Sequence, residues 1–270
     1  MATGRLFTHI FHQLNLNSGE FTMKTKLVTI TTLLMLFNAI GTVNASSLPQ
    51  PYASEYHACT LNDRSNFKDL DRWINKWNSW MSQTGTSGYS AYLLTPLYGS
   101  SNLLGNIDFV WVGTSENNET LLEGRSRYMK TNMQSDFPAK CSSSFMTRTY
   151  RFENPKNWSN DPNETAVIYR SCNLMKGKTF QDAYENRLEV LAELRSNGFN
   201  HSSMMILPGI GASDDYDFVL LSVQSDLKSW GSNADKLDDN MRAKIRDINN
   251  TYQCENSRAY IGRALRLREN

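Results

Sequence analysis

Leu70, Trp73, Ile74, Trp77, Trp80 and Met81 recur at intervals of three and four, so a helix carries them as one apolar stripe. Asn66-Phe67-Lys68-Asp69, just ahead of that stripe, has the spacing of a capping box and sets the start of the helix. The β-rich runs 56–61, 89–95 and 107–112 predict strands around it, the last two joined by a Gly/Ser/Asn loop. A weaker helical period spans about 119–134, and 143–152 predicts a fourth strand. The pattern then starts again. A strand is expected over 165–172, a helix opening at Thr179-Phe180-Gln181-Asp182 with Ala183, Tyr184, Leu188, Leu191 and Leu194 inward, strands over 203–207 and 216–223, a helix over 236–252 and a strand over 258–265.

Sequence identities support the second pass as a copy of the first. Cys59-Thr60-Leu61 with Phe67-Lys68-Asp69 and Cys172-Asn173-Leu174 with Phe180-Gln181-Asp182 share their internal spacing at an offset of 113, and Cys141 and Cys254 are also 113 apart. Asp108-Phe109-Val110 answers Asp217-Phe218-Val219 at 109, and Pro96 answers Pro208 at 112, drifts that differing loop lengths produce. The expected organisation is one unit over 55–153, a Pro- and Asn-rich linker over 154–164 and a second unit over 165–267.

Each unit has the element order βαββαβ, which resembles the ferredoxin-like arrangement with sheet order 4-1-3-2. In that order the first and last strands are antiparallel neighbours, which implies Cys59 with Cys141 and Cys172 with Cys254, one of three connectivities open to four cysteines. A four-cysteine metal site lacks any C-x-x-C pair, and no metal is expected. Two such units in one chain are similar to the dimeric α+β barrel superfamily, and the Cys-x-Leu, Phe-x-Asp and Asp-Phe-Val elements resemble those of exported tandem-repeat bacterial proteins. The resemblance implies a fold class of α+β, two tandem ferredoxin-like units packed as an intrachain barrel. That superfamily holds cofactor-free monooxygenases, polyketide cyclases, haem-dependent chlorite dismutases and ligand-binding domains, so the fold does not name a reaction.

Export bears on the cysteines. From Met23 the chain has a basic start, an apolar run over 27–40 and small residues up to Ala45, the organisation of a signal peptide cleaved after Ala45. Residues 1–22 then read as an over-long start. The apolar run is shorter than the roughly 18 to 20 residues of a membrane span, so no membrane anchor is expected. Without residues 1–45, which hold Arg5, Lys24, Lys26 and Glu20, the chain keeps 25 basic residues against 26 acidic ones. That balance disfavours nucleic acid. A periplasmic or secreted location makes disulfides the default.

Candidate chemistry is sparse. His57 shares a strand face with Cys59 and is the weak catalytic candidate, as a base or a haem ligand, while the matching position of the second unit is Arg170. His201, in an Asn-Gly-Phe-Asn-His turn, is expected to face solvent. Tyr92 and Trp111 lie in adjacent strands and are the expected lining of a pocket for a flat apolar ligand, with positive charge from Arg148 or Arg151. Asp108 and Asp217, at matching positions, are expected to cap turns. The acidic run 214–217 lacks the pattern of an EF-hand loop and is expected to be solvated. No nucleophile elbow is present. The leading expectation is an exported small-molecule-binding protein with one pocket per unit and no cofactor. The alternatives are a barrel-superfamily enzyme, cofactor-free or haem-dependent, and an envelope structural or interaction protein.

Overall fold

The computed structural model describes residues 48–268 apart from 85–87, 157, 160, 161 and 214. The expected over-long start, signal peptide and Asp214 lie outside the described residues. Eight strands, β1 (Tyr52–Leu61), β2 (Tyr89–Tyr98), β3 (Phe109–Ser115), β4 (Ala139–Arg151), β5 (Thr165–Leu174), β6 (His201–Pro208), β7 (Phe218–Gln224) and β8 (Tyr252–Arg266), close into one barrel. Its order is β1-β3-β2-β8-β5-β7-β6-β4 and every pairing is antiparallel. Within the first half the neighbours run β4-β1-β3-β2 and within the second β8-β5-β7-β6; the seams are β2–β8 and β4–β6.

Side chains alternate across a strand, so the wall has an inner and an outer face. Tyr56, Val110, Val112, Val167, Tyr169, Val219, Leu221 and Tyr260 point into the interior. Eight strands enclose only enough room for side chains or one small ligand. On the outer face the helix α1 (Phe67–Gln83) buries Leu70, Trp73, Ile74, Trp77 and Met81 against Ala53, Cys59, Leu93, Phe109 and Trp111. The helix α4 (Phe180–Ser196) does the same in the second half with Ala183, Val190, Leu191 and Leu194 against Cys172, Met205, Phe218 and Leu220. Both helices begin at a complete capping box, Asn66 with Asp69 and Thr179 with Asp182.

Two devices recur in both halves. Disulfides Cys59–Cys141 and Cys172–Cys254, each 82 residues apart in sequence, tie the first strand of a half to its last. Asp108 Oδ2 accepts the amide of Leu61 at 2.7 Å, and Asp217 Oδ2 accepts that of Leu174 at 2.7 Å, clamping the end of the first strand to the start of the third. The carboxylates therefore serve the turns, as the sequence suggests. Asp215 accepts a hydrogen bond from Ser213 in the neighbouring loop.

The structure corrects several boundaries. The strands extend beyond the predicted runs, most of all β8, which begins at Tyr252 rather than 258. The Gly/Ser/Asn loop holds a short helix, α2 (Ser101–Leu104). The second helix of the first half, α3 (Asn118–Met129), stops ahead of a 3₁₀ turn at Asn132–Gln134. The helix expected over 236–252 is the shorter α6 (Asp239–Ile248), and a helix ahead of it, α5 (Leu227–Lys236), was not expected. Asp238 separates the two, because its side chain accepts the Met241 amide and starts a new helix there.

Candidate functional site

Each half encloses a cavity between its outer sheet face and its helices. The first-half cavity, about 340 Å³, is walled by Trp73, Trp77, Trp80, Trp111, Tyr89, Tyr128 and Phe137. The second-half cavity, about 510 Å³, is walled by aliphatic residues, by Tyr98, Phe199 and Trp230, and by Arg170, Arg187, Arg242 and Arg258. Both volumes are in the range of small-molecule sites.

Identical strand positions bear different chemistry in the two cavities. The fourth residue of the first strand is Glu55 in β1 and Ile168 in β5, and the sixth is His57 and Arg170. Tyr89 opens β2 where His201 opens β6, and Trp111, third in β3, is matched by Leu220 in β7. On the helices Trp73 and Ile74 in α1 stand where α4 has Asn186 and Arg187.

In the first half these residues form a connected network. Trp111 Nε1 donates to the Tyr89 hydroxyl at 3.2 Å, and that hydroxyl donates to Glu55 Oε1 at 2.8 Å. Glu55 Oε2 lies 3.3 Å from His57 Nε2, an ion-pair distance whose angle falls outside a hydrogen bond, and His57 Nδ1 is 2.7 Å from Ser144 Oγ. The Glu55 side chain is only 12% exposed. Burial pushes its carboxyl up, but His57, the Tyr89 hydroxyl and Arg125 together outweigh burial and hold it below the usual carboxylate range. Tyr89 is pushed the other way, by burial and then by the Glu55 charge, so its hydroxyl keeps its proton. Gly113, opposite Glu55 in the β1–β3 register, makes room for the phenol: a Cβ there would meet the Tyr89 hydroxyl at 2.0 Å.

In the second half the charge has the opposite sign. Arg187, 6% exposed, donates to Ser203 Oγ, and among the described residues no carboxylate lines the cavity. Burial lowers its pKa. His201 is 6% exposed, and among the described residues no hydrogen bond engages its ring. Burial, then Arg187, Arg195 and Arg170, push its pKa down to about 3, so the imidazole is neutral. The expectation that His201 faces solvent is therefore wrong. It is the first residue of a strand, not part of the turn, and its parity with Ser203 and Met205 turns it under the helices.

The sequence-predicted site residues do not share one pocket. His57 and Trp111 line the first-half cavity. Tyr92 pairs with Val112 on the inner face and lines a barrel cavity of about 360 Å³ with Arg151. Adjacent strands do not suffice, because Tyr92 and Trp111 differ in parity and point to opposite faces of the wall. Arg148 sits on the outer face between Ala53 and Leu207, is exposed, and lines none of the four cavities, so it supplies no charge to Tyr92 or Trp111. Sequence reasoning missed Glu55, Ser144, Arg187 and the role of His201. The one available signal was parity: Glu55, His57 and Cys59 alternate on one face.

Among the described residues no cluster of three or more His, Cys, Asp or Glu side chains is placed to hold a metal ion, and no helix is long and apolar enough to cross a membrane. No protein-family model matches the chain, and no curated protein matches it in sequence. Solved structures do match. A protein provisionally named a chlorite dismutase is 16% identical, with a TM-score of 0.50 over 80% of this chain and 95% of that one. A single-residue variant of chlorite dismutase from Candidatus Nitrospira defluvii is 8% identical, with a TM-score of 0.50 over 79% and 92%. A haem-binding protein from Thermus thermophilus is 12% identical, with a TM-score of 0.43 over 79% and 92%. The likeness is one of fold. It places the chain among mixed α/β proteins with a chlorite dismutase-like antiparallel barrel.

Proposed function

We propose that this chain is an exported binding protein, made of two ferredoxin-like copies joined by 154–164, whose second-half cavity holds a flat, largely apolar molecule bearing carboxylates. The observation that carries this reading is the buried guanidinium of Arg187 in a cavity that the exposed Arg170 and Arg242 also line and that, among the described residues, has no carboxylate in its wall. A buried guanidinium without a counter-charge is costly, and an acidic ligand supplies the missing charge. Arginine also matches carboxylate geometry through paired donors. The two disulfides agree with an oxidising compartment outside the cytoplasm.

Haem is the ligand whose chemistry fits this donor set best. His201 offers a buried neutral imidazole without a hydrogen-bond partner among the described residues, the form that ligates iron. Arg170 and Arg242 line the same cavity to receive propionates, and Leu194, Leu220 and Ile245 form apolar walls. Bound haem would supply redox and oxygen chemistry, while the chain's part would be to ligate, orient and exclude water. His57, the sequence candidate for that role, lies in the other half.

Titration of the mature protein with haem tests the proposal. A Soret band that saturates at one haem per chain, and that shifts or is lost in His201→Ala, is the expected result. With no Soret change, stabilisation by protoporphyrin or other aromatic dicarboxylates in a thermal-shift assay would keep the acidic ligand and remove iron ligation. Failure of both overturns the reading.

A further inference from the structure

We propose that the first-half cavity is a second, independent binding site, for an organic cation whose ammonium group sits on the Glu55 carboxylate with its apolar body against the tryptophan faces. Nothing in this inference depends on the ligand of the second half.

The walls set the chemistry. Trp77 stands edge-on to Trp111 with ring centroids 5.0 Å apart and to Tyr89 at 6.0 Å, while Trp73 stands edge-on to Trp111 at 6.0 Å. Trp80 and Tyr128, both half-buried, meet edge-on with centroids 6.1 Å apart. Two indole N–H groups are already spent inside the protein, Trp73 Nε1 on the Met133 carbonyl and Trp111 Nε1 on the Tyr89 hydroxyl. What these side chains can turn to a ligand is therefore mainly π surface, which attracts cations and offers nothing to an anion.

The one buried charge among these rings is Glu55. Its two oxygens each have one neighbour, the Tyr89 hydroxyl and His57 Nε2, which leaves lone pairs free for a further donor or for a charge contact. Ser144 on His57 Nδ1 fixes the ring that faces the carboxylate. The network thus holds a carboxylate in place at a cavity wall and keeps it ionised. At the same strand position the other cavity has Ile168, so the barrel itself does not require an acid there.

The protein already holds a cation at this cavity by the same physics. The guanidinium of Arg125, an exposed residue of α3, lies 5.7 Å from the centroid of the Tyr128 ring and acts on the Glu55 charge. An incoming cation must share the cavity with it. Removing Arg125 should therefore strengthen binding, whereas a site for anions or for zwitterions gripped at both ends would lose affinity.

Choline and its neutral isostere 3,3-dimethyl-1-butanol are the probes, titrated into the mature chain and followed by tryptophan fluorescence and calorimetry. Four of the six tryptophans line this cavity, so occupancy should report strongly. Saturable quenching by choline, at least tenfold weaker binding of the isostere, at least tenfold loss in Glu55→Gln and a two- to fivefold gain in Arg125→Gln are expected. Equal binding of the two probes, or unchanged choline affinity in a folded Glu55→Gln variant, overturns the proposal. If Glu55→Gln fails to fold by circular dichroism, the surface variant Arg125→Gln decides alone: tighter choline binding supports the site, and unchanged or weaker binding refutes it.

Discussion

The two halves share strand order, capping boxes, disulfides and aspartate clamps, yet their cavities have opposite character: a carboxylate among aromatic rings in one, arginines around a neutral histidine in the other. The shared parts lie at strand ends and helix starts, where backbone groups need partners wherever this order of elements is built. The differing parts lie on the outer sheet face at mid-strand and under the helices, where packing accepts Ile168 for Glu55 or Arg187 for Ile74 so long as volume and partners are met. Scaffold and chemistry are thus separable within this one chain.

The largest effect should test the shared scaffold. Replacing either cysteine pair by serine removes the closure of a loop of 82 residues and should cost about 4 to 5 kcal/mol in the loop-entropy account, nearly equally in the two halves. Chemical denaturation of the two double variants checks this; a difference of several kcal/mol between them would mean that the halves are not equivalent scaffolds.

Next comes pH, which should touch the halves unequally. His201 has a folded pKa of about 3 against an ordinary value of 6.5, so the unfolded chain binds one more proton between those values. Its contribution is complete above pH 6.5 and falls as pH drops toward 3, by up to about 1.4 kcal/mol per unit. From pH 7 to pH 5 the natural protein should lose about 2 kcal/mol more than His201→Gln in urea titrations. Parallel curves would place His201 in contact with water.

Charge removal should then act with opposite signs. Arg187→Met takes away a buried guanidinium without a carboxylate partner and should stabilise the ligand-free protein by about 1 to 3 kcal/mol while abolishing acidic-ligand binding. Glu55→Gln weakens a satisfied network and should destabilise by about 1 kcal/mol. Thermal melts of the two variants against the natural chain make the comparison, and a shift in the same direction for both would break it. Smallest of all, Lys76→Ala removes an exposed ion pair with Asp136 and should change the melting temperature by less than about two degrees, since solvent screens such a pair.

Much of the scaffold was legible along the chain because it is written in local terms. The stripe on α1, the spacing Asn66 to Asp69 and the cysteine offsets each act over a few residues, or recur at one fixed interval. The paired strand-end aspartates were readable for the same reason. Helix α5 was not, because an apolar period does not say that the Asp226 side chain will cap a helix on the Ser229 amide.

The sequence by itself determined the order of most strands and helices and which strands carry the cysteines, through periodicity and spacing. Only the tertiary structure decided which residues meet. Parity sent Tyr92 into the barrel and Trp111 beneath a helix, turned His201 inward, left Arg148 in solvent, and set Glu55 against His57 and Tyr89. Cavities arise where faces of distant strands and helices fail to fill one another, and that mismatch of shape and charge exists only once the barrel has closed.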